Sequence, residues 1–225
     1  MWPRRDRFQI AARAREALAD RLGAGPAAEA LRVSLPAPDT PLRRVPLLAV
    51  DLEMTGLDPD QHHVLSAGWV PIDAGRLRLA GSDHRLVRDA GPVGASATVH
   101  GIVDSECARG DPVGEVLEAL ITALAGRILL MHHAPLDLAF LGRMFEAEFG
   151  RGLREAAIDT LRLEERRRAR RQLPAAAGSL RLPALRRTYG LPPMSNHNAL
   201  SDAIATGELL LAMTAGENPS LADLA

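Results

Sequence analysis

Pro46-Leu47-Leu48-Ala49-Val50-Asp51-Leu52-Glu53 is the stretch on which the fold turns. A short apolar run that ends in acids reads as a buried strand with polar residues at its C-terminal end. Side chains alternate along a strand, so Asp51 and Glu53 point to one face and direct two anions into the same space. A fold gains nothing from that unless a cation neutralises them. Taken alone, the pair also has a plainer reading, because many strands end in acids at a loop.

Working outward, His63–Ile72 and Gly75–Val87 read as two further strands. Their short connection through Asp73-Ala74-Gly75 implies antiparallel pairing. Val113–Ala125 has a helical pattern ended by Gly126, a strand follows over Arg127–Met131, and Leu136–Phe149 is an amphipathic helix closed by Gly150. Helical pattern resumes over 155–172, 179–189 and 198–214. Strands, then a strand–helix alternation, then helices predict an α/β domain with a mixed sheet over residues 46–214.

Upstream, residues 6–22 place Phe8, Ala11, the stem of Arg15, Leu18 and Leu22 at helical spacing, and Gly23, Gly25 and Pro26 stop that helix. Four prolines between Pro36 and Pro46 mark a linker or a strapped-down extended segment. The expected division is an N-terminal helix and Pro-rich linker over 1–45, the main domain over 46–214, and a short tail over 215–225. Glu164–Arg171 reads as a solvated helix face with i,i+4 pairs.

A chain of 225 residues is long enough for one well-buried core. No apolar run approaches the roughly 20 residues that span a bilayer, so no membrane role is expected. The basic N-terminus lacks the apolar block of a secretory signal, and the single cysteine, Cys107, has no partner for an internal disulfide. Cytoplasmic residence is therefore the expectation. All 27 basic residues are arginine, whose planar forks suit phosphate oxygens. The net charge of −1 hides a segregation: residues 1–45 hold 9 Arg against 5 acids, and 151–187 hold 11 against 4. An acidic centre with basic flanks suits a cation-dependent enzyme acting on a polyanion.

Two more segments carry acids. His132-His133-Ala134-Pro135-Leu136-Asp137 opens a helix with Asp137 in its first turn, and His197-Asn198-Ala199-Leu200-Ser201-Asp202 enters the last one. Each acid by itself could be a simple helix N-terminal carboxylate. Together, three acid-bearing segments at strand ends or helix entrances occur in an order that one α/β fold brings to a single cleft. Four carboxylates without a cysteine cluster favour Mg²⁺ or Mn²⁺. Two such ions, about 4 Å apart, clamp a scissile phosphate. A histidine with a pKa near 6.5 takes a proton from attacking water.

These segments resemble the DnaQ-like, DEDDh class of 3′→5′ exonucleases, typified by the proofreading epsilon subunit of bacterial DNA polymerase III. The resemblance runs over about residues 46–214, through Asp51–Asp58, the loop Val99–Asp104, His132–Leu141 and His197–Asp202. It implies a ribonuclease H-like mixed sheet flanked by helices, here with an N-terminal helical extension. It also implies that Asp51, Glu53, Asp137 and Asp202 bind two divalent ions and that His197 is the general base. Thr55, Gly56 and Leu57 match positions touching the terminal nucleotide, and His100 is expected to line the cleft. Asp159-Thr160 resembles a recurring acid–Thr pair with a structural role. Tyr189 lies too far from Asp202 to be the tyrosine of the sister class. His133 stands where the family has Asn, and Leu136 where it has an aromatic.

Met54 brings Asp51–Pro59 close to the first motif of oligoribonucleases, whereas the His-Gly-Ile loop and His132–Asp137 favour the proofreading branch. The expected substrate is therefore a single-stranded or frayed 3′ end, DNA favoured, with a DNA polymerase or repair protein as the partner class. An RNA-trimming enzyme and a catalytically weak nucleic-acid-binding module are the alternatives. Gln172-Leu173-Pro174 only faintly suggests a clamp-binding peptide, and the short tail argues for a free-standing or differently tethered nuclease.

Overall fold

The computed structural model describes residues 4–88, 91–174, 176–194 and 198–224. In chain order the elements are α1 (Arg4–Leu22), α2 (Pro26–Arg32), β1 (Leu47–Met54), β2 (Val64–Asp73), β3 (Arg76–Leu77) and β4 (Asp83–Leu86). Then follow α3 (Ala97–His100), α4 (Asp104–Cys107), α5 (Val113–Ala123), β5 (Ile128–Met131), α6 (Ala134–Phe149) and β6 (Ala157–Asp159). The chain closes with α7 (Thr160–Arg170), α8 (Leu182–Thr188), α9 (Ala199–Met213) and α10 (Leu221–Leu224).

β1 is the centre of one mixed sheet, ordered β3-β2-β1-β5-β6, with β4 also paired to β2. It runs antiparallel to β2 and parallel to β5, which in turn runs parallel to β6. The β2–β3 turn places Ala74 and Gly75 at φ 52° and 69°. That pair of left-handed residues matches the twist of a tight hairpin.

The period of two along β1 divides its neighbours. Leu48, Val50 and Leu52 pack with Val116, Leu117, Leu120 and Ile121 of α5 and Phe140 and Phe145 of α6. Leu47 and Ala49 belong to the other face, with Ala203, Leu209 and Leu210 of α9. Asp51 and Glu53 share the parity of Leu47 and Ala49, and therefore continue the face that α9 covers. This is the mixed sheet flanked by helices that the resemblance implied.

Several expectations need correction. Residues 155–172 are not one helix, because Ala157–Asp159 pair with Leu129–Met131 and form the sheet's last strand. Helix-favouring composition loses there to strand pairing. The strand expected over Gly75–Val87 is interrupted by a 3₁₀ turn at Leu79–Gly81. Pro26 does stop α1, but it also starts α2, at a first-turn position where its missing N–H costs nothing. The short helices α3 and α4 were not anticipated.

Arg15 does far more than bury its stem. Its guanidinium forks onto the fully buried Glu155 side chain at 2.8 and 2.7 Å and donates to the Leu124 and Arg127 carbonyls at 3.3 and 2.8 Å. The proline-rich stretch is strapped down. Leu42 N–H donates to Pro219 O at 2.8 Å, Leu221 N–H to Thr40 O at 2.9 Å, and Ala222 N–H to Pro38 O at 2.8 Å. Leu221 and Leu224 enter the same core cluster as α9.

Candidate active site

Asp51 and Glu53 sit at the C-terminal end of β1, the end at which parallel strands of open α/β sheets present their ligands. Asp51 faces Gly68 and Glu53 faces Ser66 on β2. Gly68 decides the site's geometry, because a methyl group there would overlap the backbone of Ala199 and Leu200. The first turn of α9 thus rests directly on β2. Asn198 caps that helix, its Oδ1 accepting from Leu200 and Ser201 N–H at 3.1 and 3.3 Å. One turn in, Asp202 is brought over β1. Oxygen atoms of Asp51, Glu53 and Asp202 lie within 4.8 Å of one another.

Asp137 is outside that closest set, yet it is buried at 4% exposure in the first turn of α6. Its charge reaches Asp51, and the Glu53 charge reaches Asp137. Burial, then the charges of Asp137, Asp202 and Glu53, hold the Asp51 carboxyl well above the usual range. Burial and Asp202 push Glu53 up to about 7. Burial, then the charges of Asp159 and Glu53, raise Asp137 to about 8 against a lowering hydrogen bond from its own backbone N–H. Three carboxylates within 4.8 Å of one another, with the buried Asp137 carboxylate nearby, offer oxygen donors that fit a hard divalent cation. His197 lies outside the described residues.

Asp159 holds the segment in front of Asp137. Its carboxylate accepts backbone N–H bonds from His133 (3.0 Å), Ala134 (3.1 Å), Leu161 (3.0 Å) and Arg162 (3.4 Å). One buried anion therefore ties the N-termini of α6 and α7 together. Thr160 completes the clamp, its Oγ1 meeting His132 Nδ1 at 2.8 Å and donating to Met131 O at 3.3 Å. His133 adopts φ 73°, a left-handed conformation that Asn tolerates far better than most residues. Tyr189 is tied to α7 instead of the acids, donating to Glu164 Oε2 at 2.7 Å and accepting from Arg167 at 3.2 Å.

The residues expected at the substrate end follow Glu53 directly. Thr55 N–H donates to His63 O at 2.9 Å, and Thr55 Oγ1 accepts from His63 N–H at 3.0 Å, pinning the loop's two ends. The His62 ring packs over Gly56, where a Cβ would collide with it, and Leu57 is 76% exposed. His100 closes α3, with Nδ1 accepting from Ile102 N–H at 3.1 Å. Ile102 and Val93 anchor that loop on Leu65 of β2. A cavity of about 730 Å³ opens beside Asp51 and Asp202, walled by His132, His133, Leu161 and Arg181. Gly68, the four-fold acceptor role of Asp159 and the place of Arg181 in the cavity wall were not anticipated from the sequence. Only Gly68 carried a usable local signal, a glycine inside an apolar strand.

Residues 48–210 match the family described as Exonuclease (RNase_T), and the chain belongs to that family. It is 30% identical over 179 residues to the DNA polymerase III subunit epsilon of Pasteurella multocida, covering 76% of this chain and 68% of that protein. It is 33% identical over 178 residues to the DNA polymerase III subunit epsilon-like protein of Rhodobacter capsulatus, covering 77% of this chain. The chain spans only 24% of that protein's length and 12% of the PolC-type DNA polymerase III of Thermotoga petrophila. Among solved structures, cell-death related nuclease 4 superposes with a TM-score of 0.65 at 15% identity, over 78% of this chain and 66% of that one. E. coli exonuclease I bound to a dT13 oligonucleotide gives 0.63 at 15% identity, over 76% of this chain and 41% of that one. These likenesses establish the ribonuclease H-like fold. Among the described residues, no helix is long and apolar enough to cross a membrane.

Proposed function

We propose that this chain is a divalent-metal-dependent 3′→5′ exonuclease that removes nucleoside monophosphates from single-stranded or frayed 3′ ends of DNA. The observation that carries the reading is the convergence of the Asp51, Glu53 and Asp202 carboxylates within 4.8 Å, beside a buried Asp137. Asp51, Glu53, Asp137 and Asp202 would hold two Mg²⁺ or Mn²⁺ ions, which would supply Lewis-acid stabilisation of the charge that develops at the scissile phosphate. His197 takes the proton from the attacking water, and its loss should cost roughly 10²–10⁴ in rate. Thr55, Gly56, Leu57 and His100 contact the terminal nucleotide. Residues 46–214 form the catalytic unit, supported by the flanking 1–45 and 215–225.

DNA is favoured because the relatives are named as polymerase III subunits and one structural neighbour is described with a dT13 strand. A polymerase or repair assembly in the cytoplasm is the matching context. The test uses 5′-labelled single-stranded DNA, a duplex with a frayed 3′ end, and RNA of equal length, each with Mg²⁺ or Mn²⁺ and with chelator. A ladder shortening from the 3′ end, stronger on DNA and silent in chelator, is the expected result. Cleavage that persists in chelator, or a label released first from the 5′ end, would sink the proposal. Faster digestion of RNA would replace DNA with RNA as the substrate.

A further inference from the structure

A second cavity, of about 700 Å³, runs along the outer edge of β6 on the far side of the 132–135 turn. Four arginines line it: Arg7 from α1, Arg154 from the loop before β6, and Arg162 and Arg166 from α7. The acids in its wall are already engaged. Glu155 is buried against Arg15 at 2.7 Å, Glu165 accepts from Arg162 at 2.7 Å, and Asp159 receives its four backbone N–H bonds. Arg166 donates to Leu224 O at 2.6 Å. The side chains of Arg7 and Arg154 make no ion pair or hydrogen bond among the described residues. Ile10, Pro135 and Leu138 add apolar wall.

This cavity and the one beside the acids are walled by neighbouring residues of the same two segments. The cavity beside Asp51 and Asp202 is walled by His132, His133 and Leu161, and this one by Ala134, Pro135 and Arg162, the next residues of the same two segments. A chain leaving the acids over that ridge meets forked cations for its phosphates and apolar surface for its sugars and bases. We propose that the β6-edge cavity binds the sugar–phosphate backbone of the substrate strand upstream of its scissile 3′ end, with Arg7 and Arg154 as the principal phosphate contacts. The N-terminal helix is then part of the nucleic-acid track as well as of the core. This assignment rests on the exonuclease reading above and specifies how that site holds a long strand.

The experiment compares strands of about 3 and about 12 nucleotides in wild type, R7Q/R154Q and R7K/R154K. In R7Q/R154Q, KM for the long strand should rise roughly tenfold, while kcat/KM for the short strand stays at the wild-type value. Two lost single-strand phosphate contacts should also flatten the dependence of log KM on log salt by about 1.4 between about 50 and 200 mM. R7K/R154K, which keeps both charges, should retain the wild-type salt slope. An unchanged long-strand KM and salt slope in R7Q/R154Q, as an acidic protein ligand for this cavity would give, overturns the proposal. So does an equal loss on both lengths, which marks a purely structural effect. Wild-type protein inert on both strands instead refutes the exonuclease reading itself.

Discussion

Arg15–Glu155 and Asp51–Glu53–Asp137–Asp202 both bury charge against the same sheet, toward opposite ends of its parallel strands. At the first, a forked guanidinium meets a carboxylate and its remaining donors go to two carbonyls, so the buried charge is closed on itself. At the second, anions face anions, and protons are drawn onto Glu53 and Asp137 near neutrality. A fold holds such a cluster only by drawing on stability elsewhere. Uncompensated buried charge therefore marks the place where something is to bind, and compensated buried charge marks structure.

Removing one of the crowded acids should change the molecule most. Asp202→Ala should reduce turnover to background while raising the melting temperature of the metal-free protein by a few degrees, because it removes a like charge from Asp51 and Glu53. Activity assays and melts in chelator read the two halves separately, and a rate near wild type would remove Asp202 from the metal site. The first region should respond in the opposite sense. Arg15→Ala strands a buried carboxylate and should cost about 3–5 kcal/mol by chemical denaturation. A loss below about 1 kcal/mol would mean that Glu155 takes up a proton at little cost.

Gly68→Ala sharpens the contrast, since it attacks the packing that crowds the acids without touching a charge. Displacing the first turn of α9 should lower kcat by about 10²-fold, as misplacement by about 1 Å does. A kcat unchanged in a folded variant would show that Asp202 reaches the cluster by another route.

The smallest effect is on pH. Glu53 and Asp137 have folded pKa values raised to about 7 and about 8, above their ordinary 4.5 and 3.8. Their contribution to stability is full below the ordinary carboxylate range and is lost progressively as pH rises from that range through 7 and 8. Melts in chelator should therefore fall over that window, and saturating Mg²⁺ should remove the fall, since a bound cation favours the charged form. A flat profile in chelator would mean that the acids are already compensated.

What was legible locally follows from periodicity. Alternation along Leu47–Glu53 puts Asp51 and Glu53 on one face, and helix-entrance positions mark Asp137 and Asp202, because a strand's period and a helix's first turn are properties of a few consecutive residues. Long-range packing was needed to make Ala157–Asp159 a strand, to seat α9 on Gly68, and to bring two helix N-termini to Asp159. It also decided that Arg15 reaches Glu155, 140 positions away. Each of these depends on which distant partner fills the space beside it. That choice is made by the packing of the whole chain and leaves no period in the residues on either side.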